Sequence, residues 1–73
     1  MDNRIIKLRK PFQIGEGIRR YVVVAPEHSV LEKNKKDAEW QLGMLKKRFG
    51  DYKVSKSMQD GVRKSITKLE RMS

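Results

Sequence analysis

Arg4-Ile5-Ile6-Lys7-Leu8-Arg9-Lys10-Pro11-Phe12-Gln13-Ile14-Gly15-Glu16-Gly17-Ile18-Arg19-Arg20-Tyr21-Val22-Val23-Val24-Ala25 carries the strongest local fold signal in the chain. Two runs rich in β-branched and aromatic residues, 4–14 and 18–25, flank Gly15-Glu16-Gly17. This pattern predicts a β-hairpin with a three-residue loop, Gly17 supplying the positive φ that such loops need. Pro11 has no N–H to give a ladder, so the first strand must be an edge strand or carry a bulge near Pro11. The longest apolar run, Tyr21-Val22-Val23-Val24-Ala25, suits a buried strand. On an unbulged hairpin Ile6, Leu8, Phe12, Ile14, Ile18, Val22 and Val24 point to a core face. Lys7, Arg9, Arg19 and Tyr21 then point the other way with Ile5 and Val23, and a bulge at Pro11 would swap the parity before it.

Pro26 ends the second run. Ser29-Val30-Leu31-Glu32 reads as a capping box, which predicts a helix from Val30 to Phe49. Glu32 and Lys36 stand i,i+4 in the favourable order, and Lys46-Lys47-Arg48 place cations where the helix dipole favours them. Gly50 is a natural stop. Tyr52-Lys53-Val54 alternates like a short third strand. Ser57, three residues before Asp60, is a weaker cap for a second helix whose apolar positions are Met58, Val62, Ile66, Leu69 and Met72. Gly61 costs that helix about 1 kcal/mol relative to alanine, and its last turn is expected to fray. The fold expected is α+β: a hairpin or three-stranded antiparallel sheet on one long helix, with a less stable C-terminal helix, in the order β-β-α-β-α. Residues 1–55 make the core and 56–73 the C-terminal helical segment.

In the first helix, Leu31, Ala38, Leu42, Leu45 and Phe49 form the core stripe. Trp40 and Met44 fall on the opposite side, flanked by Lys33 and Lys47. Either the second helix packs over them, the reading favoured by its matching stripe, or they anchor a partner protein as aromatic hot spots do.

Composition narrows the function. The chain has 73 residues, enough for one domain that buries only about 60% of its unfolded surface. It has no cysteine, so no disulfide and no thiolate site can be built, and its single histidine, His28, cannot make a zinc site by itself. Eighteen Lys and Arg against nine Asp and Glu give +9. The excess is spread along the chain, +4 in residues 1–25, +2 in 26–50 and +3 in 51–73. Such a field attracts phosphate polymers, anionic membranes or acidic protein surfaces, and a polyanionic or acidic partner is expected. The basic hairpin face of Lys7, Arg9, Arg19 and Tyr21 is one candidate partner site, Trp40 with Lys47 another; a solvated face, or one covered by the C-terminal helix, is the alternative for the hairpin.

No catalytic or cofactor pattern emerges. Gly15-Glu16-Gly17 lacks the third glycine of a dinucleotide fingerprint and leads into a strand. His28 sits beside Glu27 and Ser29, but sequence neighbours do not make a triad. No metal, cofactor or small-molecule substrate is expected, and no enzyme activity. The first residues lack the apolar run of a signal peptide, and no stretch approaches the roughly 20 apolar residues of a membrane span, so a cytoplasmic protein with no membrane role is expected.

In size, charge and layout, with a short basic hairpin from Arg4 to Ala25 and a strong helix from Val30 to Phe49, the chain resembles the small host-takeover transcription regulators of bacteriophages. The resemblance spans the chain but carries no diagnostic motif. It implies a partner-docking patch for an acidic surface such as that of a bacterial RNA polymerase subunit, in the host cytoplasm. The alternative is direct DNA or RNA binding through the hairpin face.

Overall fold

The computed structural model describes residues 2–72, the last without its side chain. The hairpin is formed by β1 (Ile5–Ile14) and β2 (Gly17–Val23). Its loop has two residues, and Gly15, not Gly17, takes the positive φ of 57°. Glycine at the first loop position is what tight hairpin turns of matching twist require.

β1 is an edge strand and is bulged, as the proline requires. Lys7 pairs with Tyr21 and Phe12 with Arg19, so Leu8–Pro11 oppose the single residue Arg20. The odd register shift breaks the expected continuous core face. Ile6, Leu8, Val22 and Val24 are buried and Phe12 packs against them, whereas Ile14 and Ile18 at the hairpin tip are 44% and 43% exposed.

The sheet is three-stranded and antiparallel, but its third strand is not Tyr52-Lys53-Val54. It is β3 (Val30–Glu32), paired with the free edge of β2 as Val23 with Val30, Val22 with Leu31 and Tyr21 with Glu32. The element order is therefore β-β-β-α-α. The residues read as a capping box are spent on sheet hydrogen bonds, because a strand edge left open beside them offers backbone partners that one helical turn cannot match. Consequently Glu32 is not on a helix with Lys36.

Helix α1 (Lys35–Phe49) starts later. Asn34 is its cap, with extended backbone and a side-chain oxygen that accepts from the Asp37 N–H at 2.8 Å. Gly50 closes it with φ of 73°, as expected. Ala38, Leu42 and Leu45 bury against Val23 and Ala25, with Ile5, Tyr21 and Phe49 at the margin.

Helix α2 (Lys56–Met72) lies on the other face of the sheet. Met58, Val62 and Ile66 rest on Ile6, Leu8, Val22 and Val24. The expected Met72 contact lies outside the described side chains. The cap is Ser55, not Ser57: its hydroxyl accepts from the Met58 N–H at 3.2 Å. The run Val22-Val23-Val24 is fully buried because both faces of β2 are covered, one by each helix.

The alternation at Tyr52–Val54 belongs to the segment that carries the chain round the end of the sheet. Tyr52 touches both apolar clusters and donates its hydroxyl to the Val24 carbonyl at 2.7 Å. Val54 is buried, and its carbonyl accepts from Asn3 at 3.0 Å. Arg4 fastens the crossing: its guanidinium donates to Asp2 and Asp51, each at 2.8 Å, donates to the Tyr52 carbonyl at 3.0 Å, and lies 5.4 Å from the Tyr52 ring centre. These bonds hold the Asp2 carboxyl down at about 2 and push the Asp51 carboxyl below its usual range.

Candidate functional site

The candidate residues of the hairpin and of α1 form two separate surfaces. On the hairpin, Lys7 and Arg9 are exposed, Arg9 within the bulge. Arg19 and Tyr21 are half-buried. Tyr21 packs against the cluster of Ala38, Leu42 and Leu45, so α1 covers that face of the hairpin stem, not the C-terminal helix. Arg19 folds back over the turn, close enough that a Cβ on Gly17 would stand 2.8 Å from its Nη1. Opposite Tyr21, burial pushes the Glu32 carboxyl above its usual range.

Beside this stem a groove of about 560 Å³ opens between the β1 edge and α1, lined by Ile5, Lys7, Tyr21, Lys35, Glu39 and Leu42 with Asp2. Two cations and two acids share its rim, so it carries no strong charge of either sign.

The second surface is the outer side of α1. The expected cover of Trp40 and Met44 by α2 does not occur, because the two helices lie on opposite faces of the sheet. Trp40 is 65% exposed and Met44 44%. At 100° per residue Lys36, Trp40, Met44 and Lys47 follow one line, with Gly43 beside Trp40. A Cβ at Gly43 would meet nothing within 4 Å, so the patch is an indole and a thioether on an open surface between two lysines. Lys33, expected to flank the pair, instead reaches 4.0 Å from Asp37.

A third surface, beyond those expected from the sequence, lies on α2, whose apolar stripe turns the intervening cations away from the core. Arg63, Lys64, Lys68 and Arg71 are all exposed, the last three on the side away from the sheet and Arg63 at the flank of the helix. None has an ion-pair partner among the described residues, whereas Arg48 is held by Glu27 at 3.0 Å and Arg4 by two carboxylates. Arg63 and Arg9 line one groove, joining the helix to the bulged strand.

Among the described residues no three His, Cys, Asp or Glu side chains gather as metal ligands, and no helix is long and apolar enough to cross a membrane. His28 is exposed, at the rim of an open groove between the β2–β3 loop and α2. Compared with known proteins, the chain matches no family model, no curated protein and no solved structure.

Proposed function

We propose that this chain is a non-enzymatic binding protein, a transcription regulator of the phage host-takeover kind, that docks on an acidic surface of bacterial RNA polymerase through the outer face of α1. The observation that carries this reading is Trp40, 65% exposed beside Met44 on a helix whose opposite side is already seated. A mostly exposed indole contributes little to folding, whereas in a partner's pocket tryptophan is among the residue types enriched at interface hot spots. Lys36 and Lys47 at either end of the line would steer an acidic partner and exclude a basic one. The polymerase identity rests on the resemblance and on the net charge of +9, which suits the acidic segments of a nucleic-acid-handling enzyme.

The test is capture from nuclease-treated bacterial lysate, followed by titration with purified polymerase. Retention of a polymerase subunit after nuclease is the expected result. Trp40→Ala should weaken that binding about 30-fold or more with little change in melting midpoint, because most of the side chain lies open to solvent. Loss of every partner on nuclease treatment would overturn the reading.

A further inference from the structure

We infer that the outer face of α2, together with the bulged edge of β1, is a docking surface for the phosphate backbone of duplex nucleic acid. It is a different surface from the α1 patch and does not depend on the polymerase reading.

The cations of α2 repel one another. Arg63, Lys64, Lys68 and Arg71 lie on neighbouring turns, one rise of about 5.4 Å apart, and Lys64 and Lys68 are an unfavourable like-charge i,i+4 pair. Among the described residues none of the four has a carboxylate within ion-pair distance. The acids nearest them are Asp60, one turn toward the N-terminus on the same side, and Glu70, which lines the groove shared with Arg9 and Arg63. The outer side therefore keeps a clear positive excess. A surface of this kind is relieved by a polyanion.

Two features select which polyanion. First, the large exposed apolar side chains are Ile14, Ile18, Trp40, Met44 and Leu69, and the four cations are not interleaved with any of the first four. Leu69 is on the sheet-facing stripe with Val62 and Ile66. An acidic protein partner would need an apolar anchor at the centre of its interface, and this face has none. A phosphate backbone needs only cations and donors. Second, α2 contains no aromatic residue, so it has no platform on which unpaired bases could stack. Over the roughly 12 Å from Arg63 to Arg71, a duplex presents one negative charge about every 1.7 Å of axis, ample for four contacts. Arg9 of the bulge extends the track past Arg63 toward the hairpin.

The experiment measures binding of the whole chain to a short mixed-sequence DNA duplex by fluorescence anisotropy across a salt series. The expected result is sequence-independent binding whose log affinity falls with log salt at a slope of about −4. The variant Arg63→Gln/Lys64→Gln/Lys68→Gln/Arg71→Gln should lose binding at least tenfold at low salt. The pair Lys64→Gln/Lys68→Gln, less disturbing to the helix, should lower the slope magnitude by about two. Trp40→Ala should bind the duplex as the parent does, which separates this face from the polymerase-docking one. Duplex binding that survives both sets of substitutions would overturn the assignment. So would equal or tighter binding of a single strand of the same length, or of polyglutamate.

Discussion

The two helices meet the same three-stranded sheet from opposite sides, and they do so differently. Helix α1 has little contrast between its faces in sequence, yet it buries Ala38, Leu42 and Leu45. Helix α2 has a clean apolar stripe and a cationic back, yet none of its described residues is fully buried; Met58, Val62 and Ile66 are half-covered. Contrast between faces therefore measures how unlike two sides are, not how deeply one is seated. Ala38 lets α1 approach the sheet closely, while Trp40 and Met44 on its far side blur the pattern. The cations of α2 sharpen its pattern without adding a single buried contact.

The largest expected effect breaks this comparison directly. Leu42→Ala should cost about 2–4 kcal/mol by urea denaturation, enough to unfold much of so small a domain. Ile66→Ala, from a half-buried site, should cost only about 1–2 kcal/mol. Equal losses would mean that α2 is seated as firmly as α1.

The start of α1 provides the next test. Asn34→Ala should lower stability by about 1 kcal/mol, because the Asp37 N–H loses its acceptor. Ser29→Ala should change it by less than about 0.5 kcal/mol, since Ser29 caps nothing where the structure begins the helix. The reverse order would restore the helix start at Val30.

Acid titration probes the clasp that carries the chain from one helix to the other. Arg4 holds the Asp2 carboxyl at about 2, below its ordinary 3.8, chiefly through their side-chain hydrogen bond. The stability this supplies is complete above the ordinary value and is lost as pH falls through about 2. Because the site is partly open to solvent, the contribution is on the order of 1 kcal/mol. Glu32, raised by burial, has the opposite sign: its contribution is present at low pH and is lost as pH rises. Asp2→Asn should therefore flatten the fall in urea midpoint between pH 4 and pH 2.

The smallest effect compares one glycine in each helix. A Cβ at Gly43 or Gly61 meets nothing within 4 Å, so alanine at either position should stabilise by up to about 1 kcal/mol. A greater gain in helical circular dichroism from Gly61→Ala than from Gly43→Ala would sharpen the contrast, by showing that α2 is the less fully formed of the two.

Much of this was legible in the chain. The hairpin, the edge position and bulge of the strand that holds Pro11, the C-terminal stop at Gly50 and the apolar positions of α2 follow from local stereochemistry and spacing. Val30–Glu32 was misleading for a physical reason. Ser29 and Asn34 are both good caps, and only the unpaired edge of β2 decides that the residues between them become a strand. Tyr52–Val54 has strand periodicity, but that periodicity serves a crossing in which alternate side chains bury at the end of the sheet. The candidate surfaces were half legible. Trp40 was recognisable as lying opposite the core stripe, but whether it was covered depended on where α2 went.

Local patterning alone establishes a basic α+β unit, the apolar residues of each element and a buried strand within Tyr21–Ala25, with the cover of the Val23 face left open. It takes the packed chain to show that the two helices occupy opposite faces of the sheet, leaving Trp40 open on one side and the cations of α2 open on the other. The reason is that periodicity records which side of an element avoids water. It says nothing about which other surface arrives to cover that side, because that choice is made by chain length, strand edges and the route of the connecting segments.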